Sequence, residues 1–127
     1  MLGGPAAVSD AVLAEVANIT GPGITRRVSG GTRDATAAAI SDLFCLRDNA
    51  AIVEGFAADF WTYALPAGPA AAILGAPLLF TNGGDGSLGA TEAVLREFPP
   101  LQLVVFGPES RVSAATQAAA EDAAFGP

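Results

Sequence analysis

Apolar positions fall into two rhythms that alternate along the chain. Val12, Leu13, Val16 and Ile19 form one helical stripe behind Ser9, which caps a helix over about Asp10–Asn18, with Gly21 as its stop. Asp10 sits favourably at the positive end of that helix. Ile24–Val28 reads as a short strand with Ile24 and Val28 on one face. Thr32 or Asp34 caps a second helix, whose stripe is Ala37, Ile40, Leu43 and Phe44. Ala50–Glu54 is a second strand, and an aromatic segment from Phe56 to Tyr63 follows. The spacing then predicts a helix from Pro66, a residue accepted in a first turn, towards Leu74 and Gly75, although Pro69 falls inside it. Leu78–Thr81 is the third strand and Asn82–Gly89 a Gly/Asp loop. A helix over about Thr91–Phe98 carries Val94, Leu95 and Phe98 on its stripe. Leu101–Phe106 is an apolar run broken only by Gln102, and it reads as a strand buried on both faces. An Ala-rich helix over about Val112–Ala124 ends the pattern.

Strands alternating with helices imply parallel pairing, and hence an α/β, Rossmann-like three-layer domain with a mainly parallel sheet of about four strands. The ligand crevice of such a sheet lies beyond the carboxyl ends of its strands. The loops expected there are Ser29–Arg33, Gly55–Asp59, Thr81–Gly89 and Gly107–Ser110. One internal repeat stands out. Gly4-Pro5-Ala6-Ala7-Val8-Ser9 and Gly107-Pro108-Glu109-Ser110-Arg111-Val112-Ser113 each precede a helix, the second copy with one extra residue and a full strand in front. This divides the chain into an N-terminal helical segment, residues 1–22, that looks like the end of a preceding unit, and one α/β unit, residues 23–127. The first helix has an apolar stripe but no strand of its own before it. That stripe is expected to pack on the complete unit or on a neighbouring chain.

Composition narrows the chemistry. The 127 residues fit one domain with a core of its own. The formal charge of −7, from 13 acidic and 6 basic residues, disfavours nucleic acid and anionic membranes as partners. With no His and one Cys, an intrachain disulfide, a Cys/His zinc site and a Ser-His-Asp triad are all excluded. No apolar stretch is long enough to span a membrane, and Met1-Leu2-Gly3-Gly4-Pro5 lacks the basic and apolar regions of a signal peptide. Export therefore depends on a segment outside this sequence or on another carrier.

The order of the motifs resembles a known family. Arg27-Val28-Ser29-Gly30-Gly31-Thr32-Arg33-Asp34-Ala35-Thr36-Ala37 is similar to the opening Arg-x-x-Gly-x-x-Arg-Tyr-x-Thr-Ala of the type 2 cell-wall-binding repeat of Gram-positive bacteria. Tyr63-Ala64-Leu65 stands where that family has Asp-Ala-Leu, and Ala76-Pro77-Leu78-Leu79-Phe80-Thr81 where it has a Pro-Ile-Leu-Leu-like strand. Val104-Val105-Phe106-Gly107 followed by Val112-Ser113 resembles its closing strand, Val-Ser step and helix. The sequence departs from the pattern at Asp34, at Tyr63 and in the longer Phe56–Thr62 segment. The resemblance implies a non-catalytic module that anchors a surface protein to an anionic wall polymer or glycan, outside the cell. Family members usually carry three repeats about a pseudo-threefold axis, so it also implies a homotrimer of single-unit chains.

On that basis Arg33, Gly30, Gly31, Thr36, Pro77, Leu78 and Leu79 are the candidate ligand-binding residues. Each has a second reading. The Ser29–Thr32 turn before a helix either offers amides to an anion or is a tight turn whose Arg33 pairs with a neighbouring carboxylate. Pro77-Leu78-Leu79 is either a binding motif or a buried strand. Phe56, Phe60, Trp61 and Tyr63 either stack on sugars or fill a core or subunit interface. Asn82–Ser87 has too few charges to hold calcium tightly and reads as a surface loop. Cys45, beside Phe44, reads as core. Neither a P-loop nor a dinucleotide fingerprint is present, so no cofactor and no catalysis are expected. A different class remains open: a structural or decoration protein, for example of a phage particle, using the same fold to oligomerise and attach.

Overall fold

β1 (Asn49–Glu54) lies between β2 (Leu78–Thr81) and β3 (Gln102–Phe106) in a parallel sheet of order β2-β1-β3. This is a computed structural model, and it describes residues 1–21, 23–44 and 48–126; Cys45, read above as core, lies outside them. Around the sheet run α1 (Asp10–Thr20), α2 (Arg33–Ser41), α3 (Trp61–Ile73), α4 (Ala90–Glu97) and α5 (Ala114–Phe125). The chain steps from β1 to β2 through α3 and then back across β1 to β3 through α4. Because the direction reverses, a single crossover hand requires α3 and α4 on opposite faces. The packing agrees. Ala50 and Ile52 of β1 join Leu79, Leu95, Val112, Ala120 and Ala123 on the α4/α5 face. Ala51 joins Ala71 and Ala76 on the α3 face. β1 is buried on both faces, which is why its apolar run is unbroken until Glu54. Burying the Ile52 and Leu79 side chains contributes about 1.5–3 kcal/mol each.

The sheet has three strands among the described residues, not about four. Ile24–Val28 does not enter it. Val28 alone forms a parallel bridge, to Leu2, with its N–H donating to Met1 O at 2.8 Å and its O accepting from Gly3 N at 2.9 Å. Both flanks of β1 are already taken by β2 and β3, so this segment finds its partner at the chain's beginning instead. β3 is also not buried on both faces: it is half-buried, because it is an edge strand with one open side. Its apolar run marked a strand correctly but could not reveal the missing neighbour.

α3 starts at Trp61, a turn before the predicted Pro66, and carries both Pro66 and Pro69 inside it. Each proline leaves a carbonyl one turn earlier without an amide partner. Pro66, Pro69, Leu65 and Ile73 all face outwards, while Ala67 and Ala71 meet the sheet, so that side of the helix is open to water. α2 is capped by Thr32, whose Oγ1 accepts from Ala35 N at 3.3 Å, and it ends at Ser41, leaving Leu43 exposed. α1 has its Ser9 cap but buries no residue at all. Within one chain its apolar stripe therefore does not pack on the complete unit.

Candidate functional site

The carboxyl ends of the three strands open onto a polar crevice of about 330 Å³ lined by Glu54, Phe56, Ala57, Asn82, Gly84, Ser110 and Arg111. It lies where the loops after β1 and β2 leave in opposite directions, the position expected of a doubly wound sheet. Glu54 is 5% exposed. Its Oε1 accepts from the amides of Phe56 and Ala57, the latter at 2.6 Å, and so shapes the loop after β1. Among the described residues its Oε2 has no partner, and neither has Thr81 Oγ1 on the register-paired position of β2. A buried polar atom left unpaired costs about 1–3 kcal/mol. Both lie on the last rung of the sheet, at the end that opens onto the crevice. Gly83 packs against two residues of the crevice: a Cβ there would stand 2.2 Å from Arg111 O and 2.4 Å from Glu54 Cγ, at a φ of +78° that side chains rarely adopt.

Arg111 supplies the positive charge of this crevice. Its guanidinium bonds Asp59 and lies 5.8 Å from the centre of the Tyr63 ring. The hydrogen bond from Arg111 draws the Asp59 carboxyl below its ordinary value. Tyr63 and Asp34, the two single-residue departures from the family pattern, thus have definite structural work. Asp34 is buried, accepts from Thr32 Oγ1 and from Ala90 N at 2.7 Å, and ties the start of α2 to the start of α4. Burial pushes its carboxyl up, but hydrogen bonds from Thr32, Ala90 and Ala35 outweigh this and hold it below the ordinary value. Gly89 is needed beside it, since a Cβ there would meet Asp34 Oδ2 at 2.2 Å.

The predicted site residues are distributed over two other places. Gly30, Gly31, Arg33 and Thr36 line a groove of about 420 Å³ together with Gly3, Gly4 and Phe80. Gly30 N donates to Thr36 Oγ1 at 2.9 Å, and a Cβ on Gly30 would run into Ala35 at 2.5 Å, so this glycine is a packing requirement. Arg33 donates to Gly55 O at 2.9 Å and stacks 4.6 Å from the Phe60 ring centre. Leu78 lies on the floor of an adjoining, mostly apolar groove of about 300 Å³, also reached by Arg33 and Thr36. Pro77 and Leu79 are buried. Pro77 O accepts from Ala51 N at 3.0 Å, and Leu79 belongs to the α4/α5 core. None of these residues lines the strand-end crevice. Phe60 packs edge-to-face on Phe80 at 6.2 Å, while Phe56 and Trp61 stay exposed. The Asn82–Ser87 loop closes on itself, with Asp85 Oδ1 accepting from Ser87 N at 2.9 Å. Asn82 and Ser110 lie in loops the sequence placed at the strand ends, whereas Glu54 and Arg111 did not stand out. The one available signal was Glu54, a charge ending an otherwise apolar strand.

The model of the family cell wall binding domain 2 matches residues 27–117, well over half of the chain. A solved structure, Cwp8 from Clostridium difficile, matches with a TM-score of 0.73 at 25% identity, covering 96% of this chain and 19% of that one. This chain therefore spans less than a fifth of that protein's length. No curated protein sequence matches the chain. The matched segment begins at Arg27 and ends in α5, so it takes in β1, β2, β3 and every residue of the crevice. The chain belongs to the cell wall binding domain 2 family.

Proposed function

We propose that this chain is a non-catalytic anchoring module that holds its protein to an anionic secondary polymer of a Gram-positive envelope, outside the cell. Family membership supports the cell wall as its target. The observation that carries the finer reading is the unpartnered, buried Oε2 of Glu54, a residue that lines a crevice also offering Asn82, Ser110 and Arg111. A net charge of −7 opposes capture of an anion by bulk electrostatics. A sugar hydroxyl donating to Glu54, with an acidic substituent beside Arg111, resolves that conflict locally. Gly30, Gly31, Arg33 and Thr36 then extend the polymer's path along the groove beside β2, over Leu78, while Pro77 and Leu79 hold the strand beneath it. Three units, here a homotrimer, complete the arrangement, which sedimentation of the purified protein tests separately. No helix among the described residues is long and apolar enough to cross a membrane.

The test is cosedimentation with Gram-positive cell walls, intact and stripped of secondary polymer. Binding should be lost on stripping. Glu54→Gln keeps the Oε1 acceptor for the loop but weakens the acceptor at Oε2, and should reduce binding at least about 10-fold at unchanged melting temperature. Equal binding to both wall preparations, or a Glu54→Gln protein that binds normally, overturns the reading.

A further inference from the structure

The internal repeat is a structural repeat, and its register differs by one residue from that suggested by the Gly-Pro pairs. Gly3 corresponds to Gly107, with φ of +108° and +118°. Val8 then corresponds to Val112 and Ser9 to Ser113, without a gap. The hydrogen bonds agree one by one. Ala7 N and Val8 N both donate to Gly4 O, as Arg111 N and Val112 N both donate to Pro108 O. Ser9 and Ser113 share φ −62° with ψ of 157° and 158°, and each accepts from the amide three residues on, Val12 or Thr116. In this register Met1 corresponds to Val105 and Leu2 to Phe106, so Met1–Gly3 is a copy of the end of β3.

The first copy has a strand partner on the side of Met1 and Gly3, whereas the corresponding outer edge of β3 has none among the described residues. Met1 N donates to Arg26 O at 2.7 Å, Val28 N to Met1 O at 2.8 Å, and Gly3 N to Val28 O at 2.9 Å. Together these are the steps of a parallel ladder. On β3 the amide of Gln102 bonds Asp48 O beside β1. Alternate residues of a parallel strand point their N–H and C=O to the same side. Leu103, Val105 and Gly107 therefore aim theirs at the open edge. Val105 and Gly107 are the counterparts of Met1 and Gly3, so the groups that hold Arg26–Val28 in the first copy are presented again in the second. Beside them runs a groove of about 390 Å³ lined by Leu103, Val105, Gln117, Glu121, Phe125 and Gly126. In the first copy the same segment reaches the end of α1, where Ile24 lies next to Gly21 and Thr25 Oγ1 lies 2.6 Å from that of Thr20.

We infer that the outer edge of β3 is a docking site for the Ile24–Ser29 segment of a second copy of this unit. In this arrangement Val105 N donates to the copy's Arg26 O, the copy's Val28 N donates to Val105 O, and Gly107 N donates to the copy's Val28 O. The copy's Arg27 reaches Gly107 O, as Arg27 here reaches Gly3 O at 2.6 Å. Units thereby join head to tail, each completing the sheet of the one before it, and the strand missing from this sheet is supplied by its successor. An edge strand left bare is a liability that a folded protein covers. This inference concerns an edge separate from the crevice and stands independently of the polymer reading.

The register dictates the experiment. A tandem chain of residues 1–127 followed directly by residues 24–127 places the second segment in phase with the first. Backbone amide exchange is compared between the single chain and the tandem, with the amides of Ile52 and Leu79 reporting that the first unit is folded. The Val105 and Gly107 amides of the first unit should exchange rapidly in the single chain and about 100-fold or more slowly in the tandem. A Val28→Pro substitution in the second copy removes the amide that bonds Val105 O and should return both to the fast rate. A tandem with Gly-Ser-Gly-Ser in place of the second Arg26–Ser29 should do the same, and it introduces no proline. Equal exchange in single and tandem chains, or protection that survives the Gly-Ser replacement, overturns the inference.

Discussion

α1 and α5 begin from the same loop, the same serine cap and the same backbone angles, yet they end in different environments. Thr116, Ala120, Ala123 and Ala124 of α5 are buried, whereas α1 buries nothing. The corresponding residues of α1 are larger and more apolar: Val12 stands where α5 has Thr116, Val16 where it has Ala120, and Ile19 where it has Ala123. Ile19 is 85% exposed and Ala123 is 5% exposed. Hydrophobicity at a helix position thus does not decide burial. What decides it is whether a sheet lies beneath. α5 packs on β3 and α4, which permit only small residues at close range. α1 has one bridged pair, Leu2 with Val28, and no layer to pack on.

The sharpest way to break this comparison is to place a charge at the matched positions. Ala123→Asp should destabilise the protein by at least about 3 kcal/mol in denaturant unfolding, because the carboxylate is buried without a partner. Ile19→Asp should stay within about 0.5 kcal/mol. Similar costs at both sites would mean that α1 is packed in solution. The capping turn offers a second pair. Thr116 Oγ1 bonds Gly83 O at 3.2 Å and Gly86 N at 3.1 Å, linking α5 to the loop after β2. Thr116→Val should cost about 1–3 kcal/mol, and Val12→Thr should leave the unfolding midpoint unchanged.

Acid should also separate the two regions. The Asp34 carboxyl is held below its ordinary value of 3.8 in the folded unit. Its contribution is therefore complete above that value and lost as pH falls through the lower folded one. Stability measured below about pH 4 should fall with acidity, and less steeply in Asp34→Asn. An identical slope in the variant would remove Asp34 from the account. The smallest effect is expected at the first copy. Arg27 pairs with the exposed Asp10 at 2.9 Å. Arg27→Ala should change global stability by no more than about 1 kcal/mol, but it should speed amide exchange at Gly3 and Val28. A large loss of global stability would show that the first copy supports the unit after all.

Legibility in the sequence followed the environment of each element. β1 and β2 were readable almost to the residue because each is a short apolar run bounded by Asn, Gly or Pro. α1, α2 and α5 were readable from Ser9, Thr32 and the Ala-rich stripe. Ile24–Val28 was misplaced because a short β-rich segment does not state its partner. α3 was begun too late because Pro66 is a good first-turn residue, and only the outward face of the helix explains why it is tolerated further in. The candidate residues Arg33 and Gly30 were legible as a turn. The crevice was legible as the strand-end loops Gly55–Asp59, Thr81–Gly89 and Gly107–Ser110, but Glu54 and Arg111, each one residue outside those loops, were not, because they meet only once the strands are parallel.

By itself the sequence determined the alternation of strands and helices, the parallel α/β class, the repeat of one loop-and-helix motif, and the absence of histidine or disulfide chemistry. These depend on local spacing and composition, which each segment carries within itself. Tertiary structure alone decided that, among the described residues, the sheet has three strands, that Glu54 keeps an oxygen without a partner, and that one copy of the motif is buried while the other is bare. Those outcomes depend on which surfaces meet, and a local pattern specifies a surface without naming the one that will cover it.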